Sequence, residues 1–266
     1  MNSSLENETH FGLKLTKFRQ QTLPELISGS IKERKQIVIH GYAMTMFYLL
    51  KQFPGIFEII QGFDCLICDG RGFYYFMRML GVKDICKTSL PNLVYIALEI
   101  ACISKYRVFL LGSTDKNNSD AIKGILNEYG NIEAVNGRGG YFSVEEELDV
   151  VDTINSASPD ILLVGISTPK KELFLSKHRN KLHVPVIINC GGMLDVLGGN
   201  AQLPPRIITI MGLSWLYRVI QEPRRLVTVT LKNGILALLT IVPRTLFERY
   251  IRKNSRFSIP KYVKIK

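Results

Sequence analysis

Several signals that assign a chain to a common class are missing from these 266 residues. The opening segment, "MNSSLENETHFGLK", lacks the basic and apolar regions of a secretory signal peptide, so we expect the protein to act in the cytoplasm. The five cysteines are odd in number and lie in apolar runs or a short loop, which favours free thiols over disulfides. Because Cys65-x-x-Cys68 lacks a second Cys/His pair at metal spacing, no zinc or redox site is predicted.

Two motifs of phosphate chemistry are also absent. No Gly-x-Gly-x-x-Gly follows a strand at the start of an apolar helix, and no Walker lysine motif occurs. These absences weaken two interpretations of the chain, a dinucleotide-dependent dehydrogenase and a nucleoside triphosphatase.

Excess positive charge is confined to the end of the chain. Residues 201–266 carry 13 Lys+Arg and 2 Asp+Glu, whereas residues 1–200 carry 21 of each sign, so the tail accounts for the whole net charge of +11. This asymmetry predicts an anionic partner, such as an acidic membrane surface, phosphates or nucleic acid. Nucleic acid is disfavoured because the tail contains no nucleic-acid-binding module. Its apolar run "GILALLTIVP" is too short to span a bilayer.

Apolar runs alternate with helix-like segments between about residues 36 and 200. The predicted strands lie in "KQIVIHGYAM", "FDCLICDG", "RVFLLGS", "NIEAVNG", "DILLVGIS" and "VPVIINCGG". Strands that are apolar on both faces and separated by helices predict a Rossmann-like α/β fold with a parallel sheet. We therefore predict an α/β core over 1–200 and a basic helical appendage over 201–266, with helices broken at Pro223, Gly234 and Pro243. Residues 1–35 are expected to be short helices or a loose lead-in.

Small residues and one carboxylate end the predicted strands, at Asp69-Gly70, Gly112-Ser113, Gly165 and Gly191-Gly192. Ligands of open α/β sheets bind outside the carboxyl ends of the strands, where glycines let backbone amides approach them. The pattern predicts a phosphate-bearing ligand. Two interpretations of Asp69 stay open at this point, a cap for the following helix and a general base at the ligand cleft.

Six motifs carry a resemblance to a known family. In chain order they are "ICDGRGFYYFMRMLG", "RVFLLGS", "GRGGYFSVEEE", "SPDILLVGISTPKKELF", "VIINCGGMLDVLGG" and "GLSWLYRVIQEPRRL". Over roughly residues 35–250 the chain resembles the WecG/TagA/CpsF family of bacterial glycosyltransferases, glycosyltransferase family 26. The resemblance implies an inverting transfer from a UDP-sugar to a polyprenyl-diphosphate-linked acceptor, at the inner face of the plasma membrane. The sugar would be N-acetylmannosamine, its uronic acid or another hexose such as glucose.

The resemblance also implies roles for individual residues, with Asp69 as the catalytic base. The residues expected to bind the nucleotide-sugar are Gly112, Ser113, Tyr141, Gly165, Pro169, Lys171, Glu172, Gly191 and Asp195. Those expected to bind the acceptor and its lipid diphosphate are His40, Tyr42, Arg218, Arg224 and Arg225. His40 and Tyr42 stand where the family usually has Thr-x-Asn, so either one of them replaces those acceptor contacts or the acceptor differs. Because no Asp-x-Asp occurs, no metal and no other cofactor is expected.

Several alternatives remain open from the sequence. Tyr141 either stacks on uracil or packs in the core, and Asp195 either accepts a hydrogen bond from the nucleotide or begins a helix. Lys171, in place of the family's glutamine, either meets a phosphate or acidic sugar or is solvated. Trp215 either packs in the core or anchors in a membrane interface. A homo-oligomer is left open, and the alternative function is a non-catalytic basic protein that binds membrane or nucleic acid.

Overall fold

A six-stranded parallel sheet flanked by helices organises the chain, as the alternating pattern predicts. The structure, a computed structural model, describes residues 5–17, 20–44, 46–47, 52–53, 55–83, 85–221, 223, 232–254 and 256–260. The strands are β1 (Glu6–His10), β2 (Leu13–Lys17), β3 (Ile37–Tyr42), β4 (Cys65–Cys68), β5 (Arg107–Gly112), β6 (Ala134–Arg138), β7 (Ile161–Gly165) and β8 (Val186–Asn189). The order in the sheet is β4-β3-β8-β7-β5-β6, and β1 pairs with β2 in a separate antiparallel hairpin.

The helices follow the sheet strands in the alternation expected of an α/β fold. They are α1 (Leu23–Lys32), α2 (Ile56–Gln61), α3 (Gly70–Met79), α4 (Leu90–Ser104), α5 (Asp115–Tyr129), α6 (Glu147–Ser156), α7 (Lys170–His178), α8 (Met193–Leu197), α9 (Arg206–Ile210), α10 (Ser214–Gln221), α11 (Lys232–Leu236) and α12 (Val242–Leu246). Short 3₁₀ turns cover Gln20–Thr22 and Arg179–Lys181, and π-helical turns cover Ala237–Ile241 and Phe247–Ile251.

The chain divides into two compact units. The first comprises Met1–Gln20, Gly41–Ser89 and Pro204–Lys266, and the second comprises Gln21–His40 and Leu90–Leu203. The basic segment after residue 203 thus groups with two earlier segments of the chain. The functional division into a catalytic core and a membrane-associating appendage stays a prediction.

The second unit contains the point at which the sheet changes winding direction. The chain leaves β5 through α5 to reach β6 on one side, and it leaves the neighbouring strand β7 through α7 to reach β8 on the other side. Connections that leave two neighbouring strands in opposite directions open a crevice at the carboxyl edge of the sheet, where ligands bind in folds of this kind. Gly112 of β5 and Gly165 of β7 are paired across the ladder at this edge.

The first unit contains a hairpin that the sequence analysis missed. Residues 6–17 form the antiparallel pair β1–β2 instead of short helices or a loose lead-in. At its tip, the Phe11 ring stacks on Phe257 with centroids 4.5 Å apart, and the Ile259 amide donates to the Phe11 carbonyl at 2.8 Å. Partners distant in the chain therefore support a hairpin whose own sequence is largely polar.

Helix boundaries differ from the predicted ones where a local cap or a packing partner decides them. Helix α5 begins at Asp115, because the Thr114 hydroxyl accepts from the Asn117 backbone amide at 3.2 Å. Gly234 does not break the tail, since it lies inside α11 against the Trp215 ring. Pro243 also continues the helical path, at the first turn of α12, where a missing N–H is tolerated. Residues 222 and 224–231, beside Pro223, lie outside the described part of the chain.

Candidate nucleotide site and candidate base

Glycine backbones meet at the carboxyl edge of the second unit. A Cβ atom on Gly112 would lie 2.5 Å from the Gly165 carbonyl carbon, and one on Gly140 would lie 3.0 Å from the Gly112 Cα. Gly112 also has a φ of +148°, which side chains rarely adopt. These contacts need glycine for reasons of space, because neighbouring backbone fills the place that a side chain would take. The structure therefore brings the predicted residues Gly112 and Gly165 together.

Asp195 holds the turn that follows β5. Its Oδ1 accepts from the Ser113 hydroxyl at 2.6 Å and from the Asn117 side-chain Nδ2 at 3.0 Å, and its side chain is largely buried on α8. Ser113 has a left-handed φ of 57°, a conformation that the contact with Asp195 helps to maintain. Asp195 thus lies in the first turn of a helix, as one interpretation expected, and it also fixes a predicted nucleotide contact.

Asn118 also stabilises this turn, and the sequence analysis did not identify it as a residue of the site. Its side-chain nitrogen donates to the carbonyls of Leu110, Gly112 and Arg138, each at 3.0 Å, and its side chain is buried. These bonds join the ends of β5 and β6. No sequence pattern separates this asparagine from the other polar residues of α5.

The loop after β6 presents Tyr141 to solvent. The Gly139 amide donates to Asp115 Oδ1 at 3.1 Å, and the Gly140 amide donates to the Ser113 carbonyl at 2.8 Å. The Tyr141 side chain is 78% exposed, so the prediction that it packs in the core is wrong. Stacking on a uracil base stays a prediction, and the exposed ring beside the strand ends is available for it.

A buried charge cluster lies at the start of α7. Glu172 Oε1 accepts from His40 Nε2 at 3.0 Å, from Thr168 Oγ1 at 2.9 Å and from Lys171 Nζ at 2.9 Å, and Lys171 also donates to Thr168. The Glu172 side chain is fully buried and Lys171 is 6% exposed, so the interpretation of Lys171 as a solvated lysine is wrong. Burial by itself would raise the pKa of Glu172, but the neighbouring Lys171 and His40 outweigh it and hold the pKa well below its usual range.

Two further predicted nucleotide residues shape the same edge. Pro169 follows a cis peptide bond from Thr168 and occupies the N-cap position of α7. Gly191 has a φ of +55°, and its amide donates to Asn189 Oδ1 at 3.1 Å, which turns the chain after β8. Both residues therefore set the backbone path at the ends of β7 and β8.

Asp69 lies in the first unit, directly after β4. It occupies the N-cap position of α3 with extended backbone angles, but its side chain makes no capping hydrogen bond. Its amide donates to the Tyr42 carbonyl at 2.9 Å, which continues the strand pairing. The next residue, Gly70, has a φ of +78° and would have no atom within 4 Å of a Cβ. The helix-cap interpretation of Asp69 is therefore satisfied by position and not by bonding, and a half-buried carboxylate lies beside open space.

The residues expected near the acceptor have different surroundings. Tyr42 and His40 are both buried in β3, and the Tyr42 hydroxyl accepts from Gln61. Burial raises the pKa of Tyr42 far above its usual range. Arg218 is half-buried on α10. Arg224 and Arg225 lie outside the described residues, so their role stays a prediction.

Trp215 packs within the first unit. The Trp215 ring lies against Gly234, where an added Cβ would come within 3.1 Å of its Cζ3 atom. The packing interpretation of this residue therefore has a named partner, and a membrane-anchoring role stays a prediction. Among the described residues, no helix is both long and apolar enough to cross a membrane. Within that same part of the chain, no three His, Cys, Asp or Glu side chains form a group that could hold a metal ion.

Comparison with known proteins identifies a family and several relatives that are similar to this chain. The sequence profile described as Glycosyl transferase WecG/TagA/CpsF family matches residues 9–255. An N-acetylglucosaminyldiphosphoundecaprenol N-acetyl-beta-D-mannosaminyltransferase of Bacillus spizizenii is 26% identical over 174 residues, covering 65% of this chain and 67% of that protein. A protein of the same name from Staphylococcus aureus strain MRSA252 is 29% identical over 171 residues, covering 64% and 66%. The chain thus matches about two thirds of the length of these relatives.

Proposed function

Because the chain belongs to the WecG/TagA/CpsF family of glycosyltransferases, we propose that it transfers a sugar from a UDP-sugar to a polyprenyl-diphosphate-linked acceptor. The family match over residues 9–255 is the observation that carries this proposal. The names of the relatives support N-acetylmannosamine as the transferred sugar and N-acetylglucosaminyl-diphosphoundecaprenol as the acceptor. The product would serve cell-surface polysaccharide synthesis.

We assign the nucleotide to the edge of the second unit where β5 and β7 end. Three observations support this choice: the change of winding direction, the paired glycines Gly112 and Gly165 at the strand ends, and the exposed Tyr141 ring nearby. Backbone amides at the first turns of α5 and α7 would face the negative charge of the diphosphate. Ser113 and Asp195 would hold the turn in a shape that admits the ligand.

Asp69 is proposed as the general base of a single displacement. It would take the proton from the acceptor hydroxyl while that oxygen bonds to the anomeric carbon of the sugar. The bond from that carbon to the UDP oxygen breaks in the same step, and UDP leaves with the bonding electron pair. One base acting on one displacement inverts the anomeric configuration. The position of Asp69 directly after β4 and the open space at Gly70 support this role.

A neutral sugar is the donor that the charge cluster favours. The ammonium group of Lys171 is only 2.9 Å from Glu172, so its charge is already balanced inside the protein. An acidic sugar would need a cation that is not committed to another carboxylate. We therefore propose N-acetylmannosamine or a neutral hexose as the transferred group, in preference to a uronic acid.

The basic tail is proposed to hold the enzyme at the inner face of the membrane, where its lipid-linked acceptor lies. Each Lys or Arg near an anionic surface contributes about 1 kcal/mol to binding. Large apolar side chains are exposed beside these charges, including Leu239, Phe247 and Ile251. Together they support peripheral attachment through residues 201–266.

A transfer assay with a panel of UDP-sugars tests this function. The purified chain is incubated with each radiolabelled donor and with lipid-linked N-acetylglucosamine, and the extracted lipid is counted. We expect label in the lipid fraction with UDP-N-acetylmannosamine or a neutral UDP-hexose, and less with the uronic acid. No transfer from any donor, combined with vesicle binding, would favour the alternative of a non-catalytic membrane-binding protein.

The same assay in excess EDTA tests the expected independence from metals. We expect the initial rate to be unchanged, because helix N-termini and cations would stabilise the leaving diphosphate. A rate that vanishes with EDTA and returns with Mg²⁺ or Mn²⁺ would show that a metal takes part.

A further inference from the structure

One face of α7 holds the loop that carries Tyr141. The Lys170 ammonium donates to the Gly140 carbonyl at 2.9 Å and to the Phe142 carbonyl, and it lies 3.7 Å from the centroid of the Phe142 ring. These two carbonyls flank Tyr141 in the chain. A single cation therefore fixes the backbone on both sides of the exposed ring.

The same face of α7 extends this contact along the helix. Phe174 is fully buried and meets the Phe142 ring edge-on, with centroids 5.6 Å apart. His178 Nε2 pairs with Glu147 Oε2 at 2.8 Å, at the start of α6. Residues 170, 174 and 178 are spaced by four, so they lie on one side of the helix. These contacts hold the loop at three places, at Gly140, at Phe142 and at Glu147.

We propose that Lys170 is a positioning residue for nucleotide binding, and that it acts by holding the Tyr141 loop in the conformation that receives the base of the UDP-sugar. The inference rests on the proposed function, since it takes Tyr141 as a contact of the nucleotide. The Lys170 ammonium group is engaged with the loop, so we assign it no contact with the ligand.

The physical reason is the entropy of the loop. A flexible loop that becomes ordered only when its ligand binds loses conformational entropy on binding. This entropy cost reduces the binding free energy, so the ligand binds more weakly. Tyr141 has few rotatable bonds of its own, so a fixed backbone leaves little to order. Lys170 would therefore raise nucleotide affinity while the chemical step, which involves Asp69, proceeds at nearly its normal rate.

Substitution of Lys170 tests the proposal in the full-length protein. Lys170→Met removes both donated bonds and the charge over the Phe142 ring but keeps the apolar stem. We expect the dissociation constant of UDP, measured by calorimetry, and the KM of the UDP-sugar to rise about tenfold, with kcat within about twofold. Lys170→Arg can donate to both carbonyls and stack on the ring, and it should restore binding to within about threefold of wild type.

Limited chymotrypsin digestion gives a second measurement that does not depend on activity. The protease cuts after exposed aromatic residues, and mass spectrometry identifies cleavage between Tyr141 and Phe142. Lys170→Met should speed this cut about tenfold, and UDP should slow it in the wild type. Lys181→Met serves as the control. It removes the same charge as Lys170→Met, but at an exposed residue just beyond α7.

The outcomes separate this inference from the proposed function. If Tyr141→Ala leaves the UDP dissociation constant unchanged, the proposed nucleotide contact is wrong. If Tyr141→Ala weakens binding and Lys170→Met changes neither binding nor cleavage, the positioning role is wrong. The role is also wrong if Lys170→Arg fails to restore binding, or if the loss of affinity follows a loss of Tm. Should Lys170→Met not fold, Lys170→Gln is judged by the same results.

Discussion

Glu172 shows how one buried carboxylate is stabilised by its neighbours. Three donors meet on its Oε1 atom, while among the described residues its buried Oε2 atom has no hydrogen-bond partner. Lys171 and His40 hold the Glu172 pKa below the unfolded value of 4.5, despite burial that opposes ionisation. The ionised carboxylate therefore stabilises the fold above pH 4.5, and this contribution is lost as the pH falls below that value.

Glu172→Gln is predicted to destabilise the protein at pH 7. It should also reduce the fall in Tm that acid causes in the wild type. Removing one partner of a buried ion pair leaves the other charge uncompensated, at a cost of about 3–5 kcal/mol. Thermal unfolding between pH 3.5 and 7 measures both effects. The matched control is Glu128→Gln, an exposed carboxylate whose loss should change Tm little at any pH. An acid response as steep in Glu172→Gln as in wild type would contradict this account.

Asp69→Asn is predicted to reduce transfer by about 10²–10⁴-fold, since a general base contributes a factor of this size. The amide keeps the size of the side chain but cannot take the acceptor proton. We expect UDP affinity and Tm to stay close to wild type, because the substitution changes neither the size of the side chain nor the residues assigned to the nucleotide. A folded variant that keeps more than half of the wild-type rate would remove Asp69 from the mechanism.

At the scale of strands and helices, the close approach of two strand ends gives a direct prediction. Gly112→Ala would place a Cβ atom 2.5 Å from the Gly165 backbone, so β5 and β7 must separate. We expect a loss of about 1–3 kcal/mol in the free energy of unfolding, the usual cost of overpacking, and weaker UDP binding. Urea unfolding and calorimetry measure these two effects.

Gly29→Ala is the control for this change. Gly29 lies inside α1 with nothing within 4 Å of an added Cβ, so alanine should stabilise the helix by about 0.5–1 kcal/mol. If the two variants had the same stability, steric contact between the strand ends would not explain the need for glycine at residue 112.

Most of the sheet strands could be predicted from sequence because they are short apolar runs that are buried on both faces; β6, at the edge of the sheet, is the exception to this burial. β5 and β8 illustrate this, since every residue of β8 and all but the first of β5 are buried. The β1–β2 hairpin could not be predicted in this way. Its residues Glu6, Glu8 and Lys17 suggest a solvated segment, yet they pair across the two strands. The apolar contact of the hairpin tip, Phe257, lies at the other end of the chain.

The candidate site shows the same division between local and distant information. The glycines at the strand ends were visible because βα turns require small residues at fixed places in the pattern. Lys170 was not singled out, although it stands in the motif "TPKKE", because its partner Gly140 lies 30 residues away in the chain. Lys171 was visible as a departure from the family, but its burial depends on His40 and Glu172, which only folding brings together.

At the scale of the whole molecule, the charge asymmetry predicts salt-sensitive membrane binding. All of the net charge of +11 lies after Asn200, beside exposed apolar side chains. We expect the full chain to sediment with anionic vesicles and to be released by salt, because the screening length is about 10 Å at 0.1 M and shorter above it. Neutral phosphatidylcholine vesicles are the control. Equal binding to both vesicles would contradict an electrostatic attachment.

Two assays on one variant can show whether the arginines of the tail bind the bilayer or the acceptor. The assays measure the loss of transfer activity and the loss of vesicle binding. A triple substitution of Arg218, Arg224 and Arg225 by alanine should reduce transfer to the lipid-linked acceptor more than it reduces vesicle binding, if these residues hold the diphosphate. Equal losses in the two assays would indicate a general attraction to the anionic surface. No loss in either would contradict both roles.

The most direct test of the proposed mechanism is the anomeric configuration of the product. Transfer from an α-linked UDP-sugar by a single displacement, with Asp69 as the base, must give a β-linked product. The disaccharide cleaved from the lipid diphosphate keeps the new glycosidic bond, and its one-bond carbon–hydrogen coupling at that anomeric centre, measured by NMR, assigns the configuration. We predict the β configuration. An α-linked product would contradict the account, because retention requires a second displacement and a nucleophile that the proposed mechanism does not contain.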